Sequence, residues 1–206
     1  MTPGTDAAFV ERALLLAERG RGLTTPNPLV GAVVVDPAGI VVGHGAHLGA
    51  GRRHAEIVAL DEAGPRARGA TLFCTLEPCA HVGRTGPCVE RIVAAGIRRV
   101  VVGVGDPNPL VSGRGFDFLR AHGVDVRRGV LAEEASTQLA PFATWVTTRR
   151  PFVIANFRPG SLCRFAWLPR SPQSRAWGVA HASLFWLAIT RSRLSIPPRP
   201  SLKLGF

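Results

Sequence analysis

The chain has 206 residues, a formal net charge of +11 and four cysteines. No apolar run approaches the roughly 20 residues of a membrane-spanning helix, no secretory pattern opens the chain, and four cysteines are too few for a disulfide scaffold. Length and composition therefore indicate a globular protein of about one domain in a reducing, cytoplasmic setting.

The first predicted elements are a helix and a hairpin. The helix covers residues 5–19, with Thr5 or Asp6 as its N-cap. Two apolar runs follow, separated by an Asp-Pro-Ala-Gly turn at 36–39 whose proline and glycine suit a tight reversal. Residues 29–45 are therefore predicted to form a β-hairpin.

Polar residues flank this hairpin. Asn27 lies between two prolines, and its position is as typical of a turn residue as of a binding residue. His44 and His47 lie at the end of the hairpin without metal-ligand spacing to the cysteines, so each taken alone is interpreted as a surface or turn histidine.

The next predicted helix carries two residues of chemical interest. It covers residues 54–63, after a flexible segment at 49–53, so His54 and Glu56 fall in its first turn. A carboxylate is favoured there by the helix dipole.

The cysteines follow this helix. A buried strand predicted over 70–75 contains Cys74, which is interpreted as a small packed residue. A proline precedes both Cys79 and Cys88, which predicts that each lies at the start of a helix. A thiol at a helix N-terminus has a lowered pKa and binds metal more readily.

Strands and helices alternate in the rest of the chain. Strands are predicted over 98–104 and 124–127, and helices over 116–122 and 132–146. The glycine-containing loop at 105–115 is predicted to be able to offer backbone N–H groups to a phosphate. Together these elements predict an α/β fold with a mixed, mostly parallel sheet between helical layers, and a ligand site at the carboxyl ends of the strands.

One imidazole and two thiols are suited to a metal. Three ligands of this kind, from His54, Cys79 and Cys88, leave a fourth zinc position open for water, as in a catalytic site. Glu56, two residues from the imidazole, is suited to carry protons. H-x-E followed by P-C is typical of zinc deaminases, although eight residues instead of two separate these cysteines.

Residues 5 to about 157 resemble the deaminase half of the bifunctional riboflavin-biosynthesis deaminase/reductase. The motifs that carry the resemblance are T-P-N-P-x-V-G at 25–31, H-A-E at 54–56, T-L-E-P-C-x-H-x-G-R-T-x-P-C at 75–88, D-P-N-P-x-V-x-G-x-G at 106–115 and R-P-F-V at 150–153. The eight-residue spacing of the cysteines is a feature of this family. Gly86 is a small departure, because the family often has proline there.

The resemblance implies a cytidine-deaminase-like fold, zinc bound by His54, Cys79 and Cys88, and proton transfer by Glu56. The implied substrate is 2,5-diamino-6-ribosylamino-4(3H)-pyrimidinone 5′-phosphate, whose ring amine is replaced by oxygen. Six residues match positions at which the family contacts substrate: Asn27, His47, His81, Arg84, Asp106 and Asn108. The guanidinium of Arg84 suits the phosphate.

Two other hypotheses remain open. A base, nucleoside or tRNA deaminase would share the fold, but the cysteine spacing favours the pyrimidinone phosphate. A zinc-stabilised binding module would not need Glu56 and would close its site with a fourth protein ligand. His81 is of the right type, although its position two residues from Cys79 makes simultaneous ligation awkward.

The positive charge belongs to the C-terminal part of the chain. Residues 135–206 hold ten Arg or Lys and no Asp or Glu, whereas residues 1–134 hold 15 basic and 14 acidic residues. Lys-rich runs and regular aromatic interleaving are absent, so we expect no nucleic-acid partner.

We therefore expect a deaminase domain over 1–149. Residues 150–206 are predicted to be the remnant of a reductase start followed by a basic tail that is not a folded domain. From about Arg158 the tail lacks the glycine fingerprint that NADPH needs, so neither NADPH nor reductase activity is expected. A reading-frame change near Phe157 is our interpretation, and an interaction segment is the alternative. We also expect a homo-oligomer in the cytoplasm without a membrane partner.

Overall fold

This computed structural model describes residues 3–81, 86–109 and 111–154. The chain divides into two units, Met1–Phe152 and Val153–Phe206, and every described helix and strand lies in the first. The helices are α1 (Pro3–Ala17), α2 (Ala55–Ala63), α3 (Cys88–Ala94), α4 (Arg114–Ala121) and α5 (Ala132–Thr148). The strands are β1 (Gly31–Val35), β2 (Val41–Ala46), β3 (Thr71–Leu76), β4 (Arg99–Val104) and β5 (Asp125–Arg128).

The five strands form one sheet in the order β2-β1-β3-β4-β5. β1 pairs antiparallel with β2 and β3, whereas β3 and β4, and β4 and β5, are parallel. The predicted hairpin is confirmed, and its turn is held by Asp36, whose Oδ1 accepts the backbone N–H groups of Ala38 and Ile40. The predicted α/β fold with a mixed sheet is therefore confirmed.

The strands alternate their side chains between two helical layers, as the period of two in a strand requires. On one face, α1 packs over a cluster that contains Val33, Phe73 and Val101. On the other, the helices α2, α3 and α4 cover a cluster that contains Leu72 and Val100. Full burial of a side chain of this size stabilises the fold by about 1.5–3 kcal/mol.

α2 lies unusually close to β2. An added Cβ at Gly45 would overlap the carbonyl oxygen of Ala55, so only glycine allows this approach. The contact fixes the N-terminus of α2 against the sheet, and therefore the position of His54 and Glu56.

The predicted N-cap of the first helix is wrong. α1 already includes Pro3, so Thr5 and Asp6 lie inside its first turn. The Asp6 carboxylate is fully buried and accepts hydrogen bonds from Arg99 at 2.9 and 3.0 Å and from Arg127 at 2.6 Å. A long-range ion pair therefore replaces the predicted local cap.

The helix predicted to begin at Cys79 is also wrong, because residues 77–81 are not helical. The other predicted helices and strands are present with small shifts at their ends. No helix in the described part of the chain combines the length and apolar character that crossing a bilayer demands.

Candidate metal centre and active-site cavity

Three side chains converge at the edge of the sheet. His54 Nδ1, Cys79 Sγ and Cys88 Sγ lie within 4.8 Å of one another, and Nδ1 is 3.5 Å from Cys79 Sγ and 3.1 Å from Cys88 Sγ. Tetrahedral zinc, with bonds of about 2.0–2.1 Å to nitrogen and 2.3 Å to sulfur, requires nitrogen–sulfur separations of roughly 3.5 Å. One imidazole and two thiols at these distances fit zinc.

Two helix N-termini bring these donors together. His54 is the N-cap of α2, and Cys88 is the first residue of α3. Cys79 lies outside a helix, but its Sγ accepts the backbone N–H of Cys88 and its carbonyl oxygen that of Val89, both at 3.3 Å. Cys79 thus occupies the N-terminus of α3 and satisfies groups that a helix leaves unpaired. Cys79 was correctly predicted to lie at a helix N-terminus, but the helix is α3 and does not begin at Cys79.

The pKa values of the two thiols shift in opposite directions. A hydrogen bond with Cys88 lowers the pKa of Cys79 to about 4. The hydrogen bond with Cys79, together with burial, raises the pKa of Cys88. The Cys79 sulfur also raises the pKa of His54 through a hydrogen bond. The cluster therefore carries the thiolate character that binds a divalent cation.

Glu56 lies beside this cluster in the first turn of α2 and is only 3% exposed. Burial, with a smaller contribution from the neighbouring Cys79, raises its pKa to about 7. A carboxyl group that titrates near neutral pH both accepts and donates protons readily.

A cavity of about 560 Å³ opens onto the cluster. His54, Glu56 and Cys79 line it, whereas Cys88 is fully buried and is not part of the lining. Five of the six predicted substrate-binding residues also line it: Asn27, His47, His81, Asp106 and Asn108. The sixth, Arg84, lies outside the described residues. The cavity thus gathers residues from four separate motifs.

Asn27 and His47 form a pair in the cavity wall. His47 Nδ1 lies 3.2 Å from the carbonyl oxygen of Arg53, which can only accept, so Nδ1 is the donor. Burial lowers the pKa of His47, and in its neutral form Nε2 accepts from Asn27 Nδ2 at 3.2 Å. His47 is thus a cavity residue, not the surface or turn histidine that it resembled when taken alone.

Glu77 is a residue whose role the sequence did not reveal. It is 5% exposed, and its Oε2 accepts the backbone N–H groups of Asp106 at 3.1 Å and Gly113 at 3.0 Å. Its Oε1 accepts that of Gly115 at 2.9 Å. The loop at 105–115 thus binds an anion, but the anion is this internal carboxylate. Because these N–H groups already donate to Glu77, they are not available to a phosphate. The prediction that the loop could offer them to a phosphate is therefore wrong.

Two arginines that the sequence did not single out also line the cavity, Arg52 and Arg149. Arg52 was part of a segment predicted only to be flexible, and Arg149 follows the end of α5. The sequence pattern that predicts helices and strands does not show that either arginine lines a cavity, because the two are distant in sequence and come to the same cavity only in the folded chain.

The fold and the site define a class of protein, the cytidine-deaminase-like zinc proteins. Residues 3–104 match the family described as cytidine and deoxycytidylate deaminase zinc-binding region. A diaminohydroxyphosphoribosylamino-pyrimidine deaminase of Buchnera aphidicola subsp. Acyrthosiphon pisum is 46% identical over 130 residues, 63% of this chain and 88% of that protein. The chain therefore belongs to the diaminohydroxyphosphoribosylaminopyrimidine deaminase family.

Longer relatives match as well. The riboflavin biosynthesis protein RibD of Synechocystis sp. is 41% identical over 189 residues, 92% of this chain and 50% of that protein. A solved deaminase/reductase from Thermotoga maritima is 44% identical, with a TM-score of 0.69 over 73% of this chain and 44% of that one. The chain thus spans about half the length of these two proteins. The Synechocystis match extends past residue 157 into the predicted tail, whose boundary stays a prediction.

Proposed function

We propose that this chain is a zinc-dependent hydrolytic deaminase of riboflavin biosynthesis. It would convert 2,5-diamino-6-ribosylamino-4(3H)-pyrimidinone 5′-phosphate and water to 5-amino-6-(5-phosphoribosylamino)uracil and ammonia. The Buchnera relative carries the name of this deaminase, and the Thermotoga relative carries it together with that of the uracil reductase.

The observation that carries the proposal is the position of Glu56. It lines the same cavity as His54 and Cys79, beside three metal donors. Within the described residues, no further His, Cys, Asp or Glu joins this group of donors. Three ligands and a neighbouring carboxylate are typical of a catalytic zinc site, whereas a structural site is usually closed by a fourth ligand.

The metal and the carboxylate would divide the chemistry. His54, Cys79 and Cys88 would hold zinc, which when bound supplies a Lewis acid that lowers the pKa of a water molecule. Glu56 would accept the proton that this water gives up as it attacks the amine-bearing ring carbon. The same carboxyl group would then protonate the ring nitrogen and the departing amine, so that ammonia leaves and the ring carbon keeps the oxygen.

The remaining polar residues would orient the substrate. Asn27 and His47 form one wall of the cavity, and His81, Asp106 and Asn108 also line it. Amide, imidazole and carboxylate groups can read a pyrimidine edge and a ribose by hydrogen bonds. A reacting group held in this way gains rate from its orientation.

Ammonia release from competing substrates tests the proposal. Zinc-loaded protein is incubated separately with the pyrimidinone phosphate, cytidine and guanine, and ammonia and product are measured. We expect turnover of the pyrimidinone phosphate and little of the other two. Faster turnover of cytidine or guanine would favour a base or nucleoside deaminase, and no turnover of any of them would favour a binding module.

Four further proposals concern the whole protein. Residues 1–149 would form the deaminase domain, and limited proteolysis should leave a core ending near residues 150–157 that keeps zinc and activity. NADPH-dependent reduction of the ribosyl product would contradict the expected absence of a reductase.

We also propose a cytoplasmic location, where Cys79 and Cys88 stay reduced. Light scattering would test the expected homo-oligomer.

A further inference from the structure

Two charged groups in the cavity have no role in the chemistry proposed above. Arg52 and Arg149 line the same cavity as Glu56, and both are exposed. Within the described part of the chain, neither forms an ion pair with a carboxylate. By contrast, the neighbouring Arg53 is paired with Asp61. Among the described residues, both guanidinium groups thus lack an acidic partner and are available to an anion.

The backbone of Arg149 has an uncommon conformation. Its φ of 58° and ψ of 21° lie in the left-handed region, which residues other than glycine rarely adopt. Its backbone N–H donates to the carbonyl oxygen of Trp145 at 3.0 Å, and its guanidinium carbon lies 5.6 Å from the centre of the Trp145 ring. These contacts hold the side chain at the cavity. Helices commonly end on a residue in this conformation, so the end of α5 fixes Arg149 beside the cavity.

The other anion-binding feature of the cavity wall is already occupied. The backbone N–H groups of Asp106, Gly113 and Gly115 donate to the Glu77 carboxylate. A phosphate that enters the cavity therefore needs donors elsewhere, and guanidinium groups match phosphate geometry with paired N–H donors.

The residues that line the cavity differ in burial. Glu56 is 3% exposed and lies with the metal donors, whereas both arginines are exposed to solvent. The reacting pyrimidine ring belongs beside the metal. With one ribosyl group between ring and phosphate, we expect the 5′-phosphate at the solvent-exposed part of the cavity lining, where both arginines lie.

We propose that Arg52 and Arg149 bind the 5′-phosphate and so select phosphorylated ribosylaminopyrimidines over their dephosphorylated forms. This inference rests on the proposed function, because it assigns the far end of the same substrate. It adds to the sequence-based expectation for Arg84, which lies outside the described residues.

The test uses two substitutions and two neighbouring controls in the full chain. Arg52→Ala removes one guanidinium, and Arg149→Gly removes the other with a residue that accepts a positive φ. Arg53→Ala and Arg150→Ala remove adjacent charges from residues that do not line the cavity. KM is measured for the substrate with and without its phosphate, and Arg84→Ala is measured in parallel.

We expect Arg52→Ala and Arg149→Gly each to raise KM for the phosphorylated substrate about tenfold, as the loss of a charge-assisted hydrogen bond requires. KM for the dephosphorylated form should stay within about twofold, and the two controls should change neither value. Equal increases for both substrates would overturn the proposal. A phosphate effect found in Arg84→Ala and absent from Arg52→Ala and Arg149→Gly would overturn it as well.

A calorimetric titration with ribose 5-phosphate separates this inference from the proposed function. If the protein binds the sugar phosphate and both cavity variants bind it about tenfold more weakly, the arginine site stands even when the pyrimidinone phosphate is not deaminated. Equal binding by the unaltered protein and the two variants, or no binding by the unaltered protein, would contradict the site.

Discussion

The carboxylate of Glu77 accepts the backbone N–H of Gly115 at 2.9 Å, across 38 positions in the sequence. Glu77 follows the end of β3, and Gly115 lies in the first turn of α4. An added Cβ at Gly115 would overlap the carbonyl oxygen of Pro78, so the two segments touch through their backbones. This contact, with those to Asp106 and Gly113, holds the β4–α4 loop at the cavity.

The first prediction concerns this loop. Glu77→Gln replaces one acceptor oxygen by an amide that faces a backbone donor, and a buried group left without its partner costs about 1–3 kcal/mol. Because Asp106 and Asn108 lie in the loop, we expect a higher KM for substrate and a lower free energy of unfolding. Kinetics and chemical denaturation measure both. Glu90→Gln, at an exposed position of α3, is the control, and a similar effect there would show that the loop contact is unimportant.

The second prediction concerns the metal. The protein should bind about one zinc ion per chain, and Cys79→Ala or Cys88→Ala should lose it, because each substitution removes one of three ligands. Metal content is measured by elemental analysis. Cys74→Ala is the matched control, since Cys74 is buried in β3 and does not belong to the donor group. Loss of zinc from the Cys74 variant alone would contradict the assigned ligands.

Removal of the metal by a chelator gives the third prediction. Ammonia release should stop when zinc is removed and return when zinc is added back, because the protein groups alone do not supply a Lewis acid. The same titration on Cys79→Ala should show no recovery. Full activity of the metal-depleted protein would refute zinc-dependent deamination.

The fourth prediction separates proton transfer from metal binding. Glu56→Gln should keep the metal but lower kcat by about 10²–10⁴-fold, the usual contribution of a general acid–base group. Zinc content and ammonia release are measured on the same sample. Near-normal turnover with zinc in place would refute the role of Glu56.

The fifth prediction concerns stability. Asp6→Asn should lower the free energy of unfolding by about 3 kcal/mol, because it leaves Arg99 and Arg127 without their buried counter-ion. The control is Asp117→Asn, whose side chain is 82% exposed and whose ion pair with Arg120 should contribute less than about 1 kcal/mol. Urea unfolding compares the two variants. Equal losses would mean that burial of Asp6 has no special effect.

Local patterns predicted most of the fold. The hairpin followed from its Asp-Pro-Ala-Gly turn, and α2 and α3 followed from apolar spacing and their starting residues. The metal donors could also be recognised, because ligand type and spacing are local properties of the chain. His54, Cys79 and Cys88 indeed lie together.

The features that the sequence did not predict depend on contacts between distant segments. Asp6 resembles an N-cap, and only the fold brings Arg99 and Arg127 to it. Glu77 is part of a motif, but nothing in the sequence shows that its carboxylate accepts three backbone N–H groups of a distant loop. Arg52 and Arg149 meet at one cavity only because α2 and α5 are packed on the same sheet.

The central claim is that the chain replaces a ring amine by an oxygen atom taken from water. The most direct test is to run the reaction with the pyrimidinone phosphate in ¹⁸O-labelled water and to measure product mass and ammonia together. We predict one labelled oxygen in the product for each ammonia released, and formation of both about 10²–10⁴-fold slower with Glu56→Gln. An unlabelled product, or no ammonia from the zinc-loaded protein, would contradict the account.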